Sequence, residues 1–242
     1  LKRPLALLVF AAAWLAFAVA LVPMRWLGEL SVWRMAGVSA SGATGTIWNG
    51  QLLDVAMVSN VLGTVDAGLS AVSLLGGTAV LALRSDAGKA ELRLGRERGL
   101  RKASGQWLGT LESPEGPLQL ALSLDEFTAM FRAGSCFESG GNAQVQLAAR
   151  TAPADWPTLV LSGTSRCREG VVEASLNPAP GSPAVELLVQ AKADGSYRLT
   201  WTARSPDAAL LATLETLGFS AGPAGMSRED KGRLGSRPAG QK

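Results

Sequence analysis

No histidine occurs anywhere in the 242 residues, which removes the commonest general base and the commonest metal ligand at once. Two cysteines, Cys136 and Cys167, are the only thiols. Two cysteines without histidine make a poor zinc site, and no imidazole is present to activate a catalytic thiol. Outside the cytoplasm the pair is expected to form a disulfide; two free thiols are the alternative, because spacing alone does not show whether they meet. Serine-hydrolase chemistry lacks both a Gly-x-Ser-x-Gly elbow and a histidine. The Gly/Ser stretches "GRLGSRP" (232–238) and "SGGNA" lack the lysine and serine placement of a phosphate loop. Asp125-Glu126 and Glu229-Asp230 are neighbours in sequence, so their side chains diverge, and solvated charge is the expected role. Neither a catalytic residue, nor a cofactor site, nor a metal site is therefore expected.

The charge pattern narrows the partners. The net charge is +3, from 23 Lys/Arg and 20 Asp/Glu. The segment 226–242 holds five of the basic and two of the acidic residues, leaving 18 of each sign in residues 1–225. A neutral body offers no broad basic face for phosphates, so nucleic acid is not an expected partner.

Residues 4–24, "PLALLVFAAAWLAFAVALVPM", carry no charge, with Lys2 and Arg3 before them and Arg25 after. A helix rising ~1.5 Å per residue crosses a ~30 Å hydrocarbon core in about 20 residues, so the run is long enough to span. Trp26 and Trp33 follow, where indole rings favour the interface. The expected organisation is a cytoplasmic start at 1–4, a transmembrane anchor at 5–24, a β-rich periplasmic domain at 25–220 and a flexible tail at 221–242. A cleaved signal peptide is the rival, with Ala18-Val19-Ala20 as its cleavage motif. Both readings carry the remainder of the chain across the membrane.

Beyond residue 40 the dominant period is two. Leu118, Leu120, Leu122 and Leu124 alternate with Gln119, Ala121 and Ser123, and Tyr197, Leu199, Trp201 and Ala203 alternate with Ser196, Arg198, Thr200 and Thr202. Such alternation predicts strands with one apolar and one wet face, which favours antiparallel pairing. Further strands are expected at 44–58, 61–71, 77–84, 105–112, 158–164, 170–176 and 184–192. Asp194-Gly195 reads as a two-residue hairpin turn. Two short helices are expected as well. One starts at a capping box, Ser123 with Glu126, and carries Phe127, Met130 and Phe131 at helical spacing. The other has Ser205 as N-cap, Pro206 at its first position, Gly218 beyond its end, and an apolar stripe of Leu210, Leu211, Leu214 and Leu217. The fold class is thus mainly β: an N-terminal transmembrane helix, then an antiparallel sheet with one or two short helices.

The stretch Gly45-Thr46-Ile47-Trp48-Asn49-Gly50 reads as the start of the sheet at its membrane side, with Trp48 packed on it. A partner-contacting Trp48 is the competing reading. Asn49-Gly50 could alternatively be a type I′ turn between arms 44–48 and 51–58. Between 44 and 83 only Asp54 and Asp66 are charged, which is weak protection for a strand edge. Val55 and Val58 therefore mark the expected docking strand.

In their order, these pieces resemble the type II secretion system protein N (GspN) family, which has a Gly-Thr-Leu-Trp-x-Gly-like motif soon after its anchor. Here Ile47 stands in place of leucine. "GLSAVSLLGGTAVLAL" (68–83) looks like that family's Leu-rich step into a Gly-led strand, and "DGSYRLTWTARSP" followed by "LLATLETLGF" looks like its closing strand and helix. The resemblance spans roughly residues 1–220 and leaves the cysteine pair unassigned. It implies a non-enzymatic, single-pass inner-membrane accessory subunit of the machine that exports folded proteins across the outer membrane. Its implied partners are other subunits, the secretin or the inner-membrane platform. The competing classes are a periplasmic carrier of lipid or another hydrophobic ligand, an outer-membrane barrel and an enzyme. Barrels carry aromatic girdles, and this chain is only 6% aromatic.

Overall fold

A computed structural model describes residues 17–25, 38–57, 60–111, 118–149, 158–204, 218–222 and 225–233, with isolated positions at 10, 14, 211, 214 and 215. Among them the chain forms one 15-stranded sheet. The strands are β1 (Val38–Ser39), β2 (Gly42–Thr46), β3 (Asn49–Met57), β4 (Asn60–Leu69), β5 (Thr78–Ser85), β6 (Gly88–Gly95), β7 (Glu97–Leu111) and β8 (Leu118–Arg132). They continue as β9 (Ser135–Ala149), β10 (Leu159–Arg168), β11 (Val171–Pro178), β12 (Val185–Ala191), β13 (Ser196–Ala203), β14 (Ser220–Gly222) and β15 (Gly225–Arg233). Each strand pairs antiparallel with its sequence neighbour from β2 to β13, so the body is a meander. β1 and β2 both pair with β3, and β15 lies between β13 and β14. A five-residue helix, α1 (Ala71–Leu75), joins β4 to β5.

The alternating leucines do in the sheet what their period demands. Trp107 pairs with Leu122, Leu122 with Val145 and Val145 with Leu161. One register step away, Leu124 pairs with Ala143, Leu176 with Leu187 and Leu187 with Trp201. These rows lie on one face and supply a core of Ala143, Val145, Leu161, Leu176 and Leu187. A separate core at the start of the sheet gathers Leu52, Val55, Val65, Ala67 and Leu81 around Met24. A third joins Val185, Ala203 and Met226 to Leu214, the buried contact of the segment before β14. Fully burying such side chains contributes about 1.5–3 kcal/mol each, before chain entropy is subtracted.

Three expectations are corrected here. Residues 123–131 are not a helix: they belong to β8, where Ser123 pairs with Gln106 and Gln144. A bulge explains the misleading spacing. Glu126 has φ 48°, and the register slips between Asp125 and Thr128. One extra residue shifts the phase of an alternating pattern, so Phe127, Met130 and Phe131 imitate a helical stripe. The presumed flexible tail at 221–242 begins as β14 and β15, the latter paired with β13 from Ser196↔Arg233 to Ala203↔Met226. The loop between β12 and β13 is longer than two residues. Lys192 N–H donates to the Ser196 carbonyl, and Gly195 takes φ 82°, the bulged hairpin form.

The second expected helix is partly seen. Leu211, Leu214 and Glu215 are helical, and Gly218, with φ 82°, ends the turn while Phe219 N–H reaches back to the Leu214 carbonyl. Ser205, Pro206, Leu210 and Leu217 lie outside the described residues. α1 escaped the sequence reading. Ser70 caps it, its hydroxyl accepting from Ser73 N–H.

Candidate functional site

The six-residue motif forms the first corner of the sheet. Its turn is Ile47-Trp48, with β2 and β3 as arms, rather than Asn49-Gly50: Thr46 pairs with Asn49 and Gly45 with Gly50. Two of its glycines are demanded by space. A Cβ on Gly45, at φ 79°, would lie 2.7 Å from the Asn49 carbonyl. One on Gly50 would lie 2.7 Å from the carbonyls of Thr44 and Thr46 and 2.9 Å from Met24 Cγ. Bare backbone at Gly50 is what lets Met24 insert, and Met24 is fully buried.

Residues 22–24 run along the outer side of this corner. Met24 N–H donates to the Gly45 carbonyl and Ile47 N–H to the Val22 carbonyl, both at 3.0 Å, with Pro23 bridged to Thr46. Residues 17–20 are helical, and Leu21 N–H closes on the Phe17 carbonyl. The indole N–H of Trp48 donates to the Val19 carbonyl at 2.9 Å. Carbonyls in a last helical turn lack their i+4 donors, and this one accepts both Val22 N–H, at 3.4 Å, and the tryptophan. Trp48 is half-buried, so it is a clasp rather than a core residue.

Val55 sits elsewhere than expected. It is buried in the core around Met24, and β3 is covered by β1 and β2 on one side and β4 on the other. An open docking edge at Val55 is therefore excluded by its packing. Val58 lies outside the described residues.

Cys136 and Cys167 form a disulfide between β9 and β10, with Cα atoms 5.5 Å apart. The β9–β10 ladder ends at Thr164↔Asn142, so the bridge fastens the two strands beyond their last paired residues. Nearby, Ser139 and Ser165 share a 2.9 Å hydrogen bond, and Ser165 donates to the Gly140 carbonyl. On the opposite face Glu173 is buried under two arginines. Arg166 reaches it at 2.9 Å, Arg168 at 3.5 Å, and Gln190 donates at 3.2 Å. The Arg166 hydrogen bond, helped by Gln190 and Arg168, holds the Glu173 carboxyl below the ordinary carboxylate range against the opposing effect of burial. Asp194 is likewise lowered, mainly by the Ser196 hydroxyl, which donates at 2.7 Å within the hairpin loop. Both arrangements consume the charge in structural contacts. Asp125 and Glu126 stay apart in function too: Glu126 receives Ser104 and faces Lys89 at 3.8 Å, while Asp125 lines a polar cleft of about 280 Å³ with Asn142, Gln144 and Thr164. Among the described residues, no three Cys, Asp or Glu side chains gather into a metal-binding group.

Fold and site together define a class: a single antiparallel meander fastened by its first hairpin to the end of an apolar N-terminal segment. The chain belongs to the type II secretion system protein N family, whose model, described as type II secretion system (T2SS), protein N, matches residues 36–227. That match starts just before β1 and ends within β15. No curated protein and no solved structure matches the chain.

Proposed function

We propose that this chain is a non-enzymatic accessory subunit of the type II secretion machine, held in the inner membrane by one apolar span at about 5–24, with its sheet in the periplasm. Family membership ties the chain to type II secretion. The observation that carries the finer reading is the seating of residues 22–24 on β2 together with the Trp48 clasp on Val19. A sheet built onto the exit of an apolar helix keeps a fixed height and direction relative to whatever that helix occupies. Among the described residues no helix is long and apolar enough to cross a membrane, and half of 5–24 lies outside them. The disulfide suits an oxidising compartment such as the periplasm. The partners proposed are the secretin or the inner-membrane platform. Reporter fusions after residue 40 test the topology: a periplasmic reporter should be active and a cytoplasmic one silent. An intact mass showing a mature chain that begins after Ala20 would sink the anchor.

A second reading has an observation of its own. Leu120, Leu122, Leu124, Leu147, Val189 and Leu199 are only partly buried against the central core. This half-covered apolar face suits a carrier of lipid or another hydrophobic ligand. Lipid that stays with the detergent-purified protein through extensive washing, seen by mass spectrometry, would favour it over the scaffold.

A further inference from the structure

Among the described residues, eight of the ten exposed large hydrophobic side chains fall into two groups, Leu108 and Phe137 being the exceptions. Phe10, Trp14, Phe17, Val19 and Leu21 belong to the apolar N-terminal segment, and Val72, Leu74 and Leu75 belong to α1. Val72 is 80% and Leu75 91% exposed, and α1 buries no residue. Soluble surfaces seldom display two such neighbours on one helical turn without use.

The topology puts both groups at one end of the sheet. Leu69, the last residue of β4, donates its N–H to the Ile47 carbonyl at 2.8 Å. α1 begins two residues later, so it stands on the same row of strand ends as the Ile47-Trp48 turn and the exit of the apolar helix. From β2 to β5 is three strand steps, about 15 Å at the usual inter-strand spacing. The chain from Ala67 through Leu83 carries no charge, so no ionised group opposes transfer of α1 into an apolar medium. Exposed cations flank the row: Arg25, two residues beyond the bridged Pro23, and Arg96, next to Gly95, which pairs with Thr78 directly after α1. Apolar side chains with an arginine on either side match the boundary between acyl chains and anionic headgroups.

We infer that α1 is a second membrane contact, a lipid-surface foot whose Val72 and Leu75 enter the interfacial region beside the anchor. The inference rests on the anchorage proposed above. Two contacts about 15 Å apart, one spanning and one interfacial, stop the sheet from swivelling about a single helix and set which strand edge faces a neighbouring subunit. A fixed orientation is worth having in a scaffold, because docking then loses less rotational freedom.

The test uses the full chain in liposomes of phosphatidylethanolamine and phosphatidylglycerol. Because Cys136 and Cys167 are bonded to each other, a single new cysteine is the only free thiol. An environment-sensitive fluorophore is attached separately at Trp14→Cys, Leu75→Cys and Leu108→Cys, the last being 74% exposed on β7 away from this end. Lipids with a nitroxide near the glycerol end of the acyl chain quench whatever reaches the interface, and lipids with one near the chain terminus quench a label at the bilayer centre, where position 14 of a 5–24 span lies. The expected result is a blue shift and strong loss of fluorescence at position 75, and full fluorescence at 108. Quenching at 14 but not at 75 overturns the foot and leaves the anchor standing. No quenching at either overturns the anchor and the foot with it. Equal quenching at 75 and 108 overturns the foot in favour of non-specific adsorption.

Discussion

The indole N–H of Trp48 donates to the carbonyl of Val19 at 2.9 Å, across 29 positions of sequence. That bond joins the first hairpin of the sheet to the end of the apolar helix, and two substitutions separate its parts. Trp48→Phe keeps a ring and removes the donor, at an expected cost of about 1 kcal/mol. Trp48→Ala removes both, but the ring is only half-buried, so the cost should fall below the ~3–5 kcal/mol typical of a core tryptophan. Chemical denaturation of the purified chain measures both. Limited proteolysis between residues 25 and 38 should speed up in the alanine variant. Three indistinguishable denaturation curves would show that the clasp contributes nothing.

The Cys136–Cys167 bridge closes a loop of 31 positions, and chain entropy assigns such a bridge ~3–4 kcal/mol. Cys136→Ser with Cys167→Ser should lose about that much, and reductant should lower the wild-type stability to match. Wild-type protein that takes up two alkylating groups without prior reduction would contradict the pairing.

Deleting everything after Ala221 should be damaging. The truncation strips β13 of eight paired positions and removes Met226 from the third core. A bare β13 edge invites pairing with other chains. Aggregation or degradation is expected for that chain, whereas one ending after residue 233 should accumulate normally. Normal yield and melting of the shorter chain would mean that β15 adds nothing to the fold.

Glu173 sets an acid dependence. Its folded pKa is depressed, chiefly by the Arg166 hydrogen bond, below the ordinary glutamate value of 4.5. As pH falls through 4.5 the unfolded carboxyl takes up protons first, so the contribution declines there. It is complete above that value and gone once the folded carboxyl is protonated too. Glu173→Gln should lose about 1–3 kcal/mol at neutral pH, from charge-assisted hydrogen bonds, and show a shallower acid limb. Urea midpoints between pH 7 and pH 3 read both effects. Parallel pH profiles for variant and wild type would remove Glu173 as the cause.

Strands were legible wherever burial of one face wrote itself as alternation, as at Leu118–Leu124 and Tyr197–Ala203. The resemblance read from the 45–50 motif and the closing strand and helix agrees with the family match over 36–227. The role of the motif was legible only in part. Its glycines announced a tight corner, but the donor–acceptor pair of Trp48 and Val19 joins segments too far apart for any local pattern to connect. Val55 misled because few charges nearby looked like an undefended edge, whereas it packs with Met24 in the first core and β3 is flanked by β1 and β2 on one side and β4 on the other.

By itself the sequence determined the fold class, the apolar segment and the poverty of chemical side chains, because each depends on composition or on a period of two residues. Tertiary structure decided what depends on partners across the sheet. The bulge at Glu126 is stabilised between two flanking strands, and it turned an apparent helical stripe into strand. β15, rich in charge and without alternation, is a strand because β13 offers it backbone donors and acceptors and Arg198 faces Glu229 at 3.2 Å. The cysteines meet beyond the last paired residues of β9 and β10, where Cys136 N–H donates to the Gly170 carbonyl and the two Cα atoms lie 5.5 Å apart. Backbone hydrogen bonding between strands is blind to side-chain pattern, so it can recruit residues that no pattern predicts.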